Sequence, residues 1–127
     1  MEVREASFGN VLVLAAEGRI DHASADPFRD RLMPAVARVK GEELKLVLDL
    51  SGVEYMSSVG LRDLMIAAKQ AKAQQGTIVV AGLKAVMKEI FEISRFNYVF
   101  KAYDDLGAAL AAISATALAA FRSAKPG

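Results

Sequence analysis

Leu46-Val47-Leu48-Asp49-Leu50-Ser51-Gly52-Val53-Glu54-Tyr55-Met56-Ser57-Ser58-Val59-Gly60-Leu61 is the stretch that decides the fold. Residues 44–50 have the apolar run of a strand covered on both faces, and belong at the centre of a sheet. Ser51-Gly52 then carries a turn signal. From Leu61 onward, Leu61, Leu64, Met65 and Ala68 recur at the spacing of an amphipathic helix. The stretch therefore reads as strand, turn, two adjacent serines, helix. That order sets a hydroxyl at a helix start on the rim of a buried sheet. A helix N-terminus carries unpaired N–H groups and a partial positive charge. A serine there serves either as a plain N-cap or as a seat for a phosphate.

Upstream, residues 3–6 and 11–16 read as two strands joined in a hairpin through Gly9-Asn10. Residues 17–21 then leave the sheet. Asp26 caps a helix whose first position is Pro27, and Phe28, Leu32, Val36 and Val39 share its apolar face. Pro34, inside that pattern, is expected to kink or split the helix. Downstream, Gly76 is expected to close the central helix. Residues 77–81 read as a short buried strand and Val86, Ile90 and Phe91 as the face of a short helix. Residues 97–102 read as a last edge strand. One final helix, begun by Asp104 and Asp105, turns Leu106, Leu110, Ile113 and Phe121 inward. Strands alternating with helices imply parallel pairing through right-handed crossovers. The expected fold is α/β, a mixed sheet of about five strands with about four to five helices.

The chain of 127 residues is sized for a single domain, over residues 1–121, with 122–127 as a frayed tail. Lysine and arginine (16) nearly balance aspartate and glutamate (15), so the composition argues against a nucleic-acid footprint. The absence of cysteine excludes disulfides and thiolate chemistry. His22 is the one histidine, and no G-x-S-x-G elbow accompanies it. There is no phosphate-binding glycine loop and no metal-ligand spacing. No catalytic residue, metal or cofactor is therefore expected, and the chain does not read as an enzyme. Residues 1–5 lack the pattern of a signal peptide, and no apolar run approaches the ~20 residues of a membrane span. A cytoplasmic protein without membrane insertion is expected. The alanine-rich residues 108–120 favour helix, and their small side chains allow a weak homodimer contact as an alternative to a monomer.

Two segments resemble a known family, the STAS domains and specifically the bacterial anti-sigma factor antagonists. Glu17-Gly18-Arg19-Ile20-Asp21, followed by Ala23-Ser24-Ala25, is similar to the family's G-x-[IL]-D stretch and the helix start after it. Residues 49–61 resemble its D-L-S-x-V-x-[FY]-[MI]-D-S-[ST]-G-[LI] signature. The resemblance implies that Ser58, with Ser57 as the secondary candidate, is phosphorylated by a partner that is both anti-sigma factor and HATPase-type serine kinase. A serine phosphatase would reverse the modification. It also implies a partner-binding surface of Asp21, Ser57, Ser58, Val59 and Gly60, and regulation of transcription without direct contact to nucleic acid. Two residues depart from the signature. Ser57 stands where the family has Asp, and Val59 where it has Ser or Thr. Both departures also fit an alternative, a STAS scaffold subunit of a signalling complex or lipid-transport ATPase that is never phosphorylated.

Overall fold

The computed structural model describes residues 1–124. A hairpin of β1 (Glu2–Phe8) and β2 (Val11–Ile20) leads through α1 (Ala25–Ala37) to β3 (Lys45–Met56). Helix α2 (Ser58–Ala73), β4 (Ile78–Ala81), α3 (Ala85–Ile93), a 3-10 turn (Phe96–Tyr98) and β5 (Ala102–Tyr103) follow. Two helices, α4 (Leu106–Ile113) and α5 (Ala115–Ala124), complete the described residues. The five-stranded sheet runs β1-β2-β3-β4-β5, so β3 is central as expected. Only the β1–β2 pair is antiparallel.

The period of two along the strands divides the core between the two faces of the sheet. Leu12 and Leu14 of β2, Leu46 and Leu48 of β3, and Val80 of β4 point to one face. There they meet Phe28 and Leu32 of α1, Leu64 and Ala67 of α2, and Met87 and Phe91 of α3. Val11, Val13, Val47, Val79 and Ala81 point to the other face, against Leu110 of α4 and Ala117 of α5. Phe8 and Phe121 pack edge to face there, ring centroids 5.3 Å apart. Each fully buried aliphatic or aromatic side chain contributes about 1.5–3 kcal/mol of transfer free energy.

Several elements differ from their sequence reading. The turn expected at Ser51-Gly52 does not form, and β3 runs on to Met56. Nor do residues 17–20 leave the sheet, since β2 stays paired with β3 as far as Ile20↔Met56. The pairing steps from Ala15↔Asp49 to Glu17↔Gly52 and from Gly18↔Val53 to Arg19↔Tyr55. At each step β3 carries one residue more than β2, which is the geometry of a β-bulge. The bulges convert the spacing of Leu50, Val53 and Met56 into three successive buried positions.

Helix α1 begins at Ala25 after Ser24, not at an Asp26 cap, and it continues through Pro34 without splitting. Gln75 (φ 57°), not Gly76, is the left-handed residue after α2. Gly76 donates its N–H to Ala71 O at 2.8 Å, and the Val39 side chain leaves it no room for a Cβ. In α3 the buried residues are Met87 and Phe91, while Val86 is half exposed. The expected strand over 97–102 is a 3-10 turn followed by the two residues of β5. The single final helix is broken at Ser114, whose extended backbone ends α4 and whose Oγ accepts from Ala117 N–H at 3.1 Å. Of the expected frayed tail, 122–124 belong to α5 and 125–127 lie outside the described residues.

Candidate functional site

The site forms where the carboxyl ends of β2 and β3 meet the start of α2. The Ser57 N–H donates to Ile20 O at 2.8 Å, which continues the β2–β3 ladder by one rung and carries Asp21 alongside the two serines. Arg19 lies over the Tyr55 ring, its guanidinium carbon 4.6 Å from the centroid, in cation–π geometry.

Ser57 and Ser58 are placed differently. Ser57 is the N-cap of α2. Its backbone is extended, its Oγ accepts from Gly60 N–H at 3.5 Å, and only 6 % of its surface is exposed. Ser58 is the first helical residue and is exposed. Val59 is half-buried and Gly60 fully buried. A Cβ on Gly60 would stand 2.7 Å from Met56 Cγ and 2.9 Å from Ile20 Cγ2, so the glycine permits close approach of helix to strand. The first turn of α2 contains no acidic side chain, so nothing on the helix itself offsets the positive end of its dipole.

Asp21 is held in a tight polar loop. Its Oδ1 accepts from Ala23 N–H at 3.0 Å, Ser24 N–H at 3.2 Å and Ser24 Oγ at 3.1 Å. Ser24 Oγ in turn lies 2.8 Å from Arg19 O and accepts from Asp21 N–H at 2.9 Å. The Ser24 hydroxyl is the main cause that draws the Asp21 carboxyl below its ordinary range, and the backbone N–H groups and Arg19 act in the same direction. Ser24 thus holds the Asp21 loop and makes no side-chain cap to α1. The residues singled out in the sequence — Asp21, Ser57, Ser58, Val59 and Gly60 — lie on one rim of the sheet. His22 is exposed in the adjoining loop. Asp49 sits within β3 and accepts from Ser51 N–H at 3.1 Å, steadying the first bulge.

Two features escaped the sequence reading. Asp63 is buried in α2, at 3 % exposure, and its Oδ2 has no hydrogen-bond partner. An acidic residue at one internal helix position looks like a solvated one until the packing of α1 is known. The second is Ser24's hold on Asp21, whose only signal was a hydroxyl three residues after an aspartate. Among the described residues no group of three or more His, Asp or Glu side chains is placed to hold a metal, and no helix is long and apolar enough to cross a membrane.

This fold, a five-stranded mixed sheet with helices on both faces and the residues above at the start of the helix after its central strand, is that of a STAS domain. Residues 3–101 match the family described as "Mlab, STAS domain", and the chain belongs to it. BtrV of Bordetella bronchiseptica, which carries the name of an anti-sigma factor antagonist, is 35 % identical over 112 residues. That match covers 88 % of this chain and 94 % of BtrV. The anti-sigma-B factor antagonist of Listeria monocytogenes is 30 % identical over 101 residues, covering 80 % of this chain and 85 % of its own. The crystal structure of an anti-sigma factor antagonist from Mycobacterium paratuberculosis superposes with a TM-score of 0.78 at 25 % identity, over 88 % of this chain and 92 % of that one.

Proposed function

We propose that this protein is an anti-sigma factor antagonist. It binds an anti-sigma factor through the rim of Asp21, Ser57, Ser58, Val59 and Gly60, and phosphorylation of Ser58 switches that binding off. The single observation that carries the reading is the contrast between the serines. Ser58 is exposed at the first helical position, whereas Ser57 is buried as the cap. A kinase reaches the first and not the second. The named relatives support the antagonist role.

The mechanism follows from charge. A phosphate adds about −1.5 to −2 charge at neutral pH. At the start of α2 that charge meets free N–H groups and the positive end of the dipole, so the fold tolerates it. In a packed interface the same charge is desolvated, and it shares the rim with the carboxylate of Asp21. Weakening a complex by 10²- to 10³-fold requires about 3–4 kcal/mol, an ordinary magnitude for an unpaired interfacial charge. The resemblance to the antagonist family supplies the partners of this reading: an anti-sigma factor that is also a serine kinase, and a phosphatase that resets the switch.

The test compares wild type, Ser58→Ala and Ser58→Asp for melting temperature and for binding to the cognate anti-sigma factor, with peptide mass spectrometry of protein from its own host. Phosphate on Ser58, and a Ser58→Asp variant that folds normally but no longer binds, are expected. Equal binding by all three chains, with Ser58 never modified, would overturn the switch and leave a constitutive scaffold.

A further inference from the structure

The last turns of α2, the first half of β4, the segment before β5 and the end of α4 border an open groove of about 630 Å³ at the edge of the sheet. It is remote from the serines, since Lys69 lies about 16 Å along α2 from Ser58 at the helical rise per residue. Three exposed lysines, Lys69, Lys72 and Lys101, line it, and no carboxylate does. Among the described residues none of the three makes a salt bridge. Between the lysines the wall is mixed, with Thr77 and Tyr98 beside apolar side chains. Met65 and Ala68 pack on the core behind it, and Val99 is 40 % exposed.

The groove also contains an open strand edge. Strand β5 covers only the far half of β4, through Val80↔Ala102 and Ala81↔Tyr103. Val80 N–H donates to Lys101 O at 3.0 Å and Gly82 N–H to Tyr103 O at 2.9 Å. Strand backbone groups alternate in direction, so Ile78 turns its N–H and C=O toward the same edge, where β5 has no residue in register. An uncovered edge is a template for an added strand. A second copy of this chain is a poor occupant, because it would bring its own three lysines against these. The complementary strand is acidic.

We propose that this groove receives an extended acidic segment of a partner protein. The segment adds as a short strand beside Ile78, with its carboxylates facing Lys69, Lys72 and Lys101 and its apolar side chains over Met65 and Val99. It engages without involving the serine switch.

The experiment titrates the isotopically labelled protein with a short synthetic peptide alternating glutamate and valine, and follows backbone amides by NMR. Saturable shifts centred on residues 77–79 and Lys101 are expected. The Lys69→Glu/Lys101→Glu variant, whose melting temperature should match wild type because both side chains are exposed, should bind roughly tenfold more weakly. Methylating alternate peptide nitrogens should abolish the shift at Ile78, and Ser58→Asp should leave binding unchanged. A peptide with lysine replacing glutamate should not bind. Shifts centred elsewhere, no saturable shift, equal binding of the methylated peptide, or indifference to the charge reversals would each overturn the proposal. So would a concentration-dependent dimer of this chain that buries Ile78.

Discussion

Met56 closes over Gly60. The last side chain of β3 is 2 % exposed, and its Cγ would lie 2.7 Å from a Cβ on the glycine four residues later. Helix α2 therefore starts against the strand it follows, with Ile20 of β2 as the second wall. Replacing Gly60 with Ala gains about 0.5–1 kcal/mol of helix propensity. It also forces an extra methyl into a filled site, which costs about 1–3 kcal/mol. The Ile20 contact is to a β-branched side chain with little freedom to turn away, so overpacking wins. Gly60→Ala is expected to lower stability by about 1–2 kcal/mol in chemical denaturation, and an unchanged or raised midpoint would show that Met56 yields freely.

The two serines should separate cleanly on stability. Ser57→Ala removes the hydroxyl that accepts from Gly60 N–H. Losing an N-cap costs about 0.5–2 kcal/mol, and the 3.5 Å distance puts this one at the lower end. Ser58→Ala removes an exposed hydroxyl and should change the denaturation midpoint within error. If Ser58→Ala were the more destabilising of the two, the cap and acceptor assignments would be exchanged.

Much of this architecture was legible because burial imposes a period. The continuous apolar runs at Val11–Leu14 and Leu46–Leu48 place two strands in the middle of the sheet, and helical spacing marks α2. What stayed hidden depends on partners distant in sequence. Ser51-Gly52 looks like a turn because a bulge is defined only by the strand opposite, and β2 supplies the register that keeps these residues in the ladder. Residues 108–120 are rich in alanine and read as one helix, yet Ser114 ends α4 with an extended backbone, its Oγ hydrogen-bonded to Asn10 Oδ1 of the first hairpin, 2.5 Å away, a partner 104 residues distant in the chain. The placement of Asp21, Ser57, Ser58, Val59 and Gly60 on one rim was legible, because they follow directly on the ends of β2 and β3. Their division of labour was not, because two adjacent serines look alike until one of them becomes the cap.

Asp21 offers a pH readout of the loop beside the serines. Its carboxyl is held below the ordinary range, chiefly by the Ser24 hydroxyl. For an acid with a lowered folded-state pKa, stabilisation is present above the unfolded value and is lost as pH falls through the folded value. Ser24→Ala should move the Asp21 titration, followed by NMR of its carboxyl carbon, back toward that of a free aspartate. It should also loosen the loop that adjoins Ser57. A titration unmoved by Ser24→Ala would assign the lowering to the backbone N–H groups of Ala23 and Ser24.

Asp63 should behave in the opposite sense. Burial raises its carboxyl above the usual range, only partly countered by Arg29 of α1 and its neighbour Arg62, while Asp26 of α1 adds to the rise. Arg29 is itself engaged with Asp26 at 3.1 Å, which limits what it offers Asp63. The folded state therefore binds this proton more tightly than the unfolded chain. Stability from this group is full below the unfolded pKa, declines as pH rises between the unfolded and folded values, and stays low at neutral pH. Asp63→Asn keeps the shape and removes the charge, and should raise stability at neutral pH by about 1 kcal/mol. Denaturation at a series of pH values should show this advantage shrinking toward acid, as the wild-type carboxyl takes up its proton. A variant less stable than wild type at neutral pH would mean that the charge is compensated in solution by Arg29 and Arg62, and that the seam between α1 and α2 depends on it.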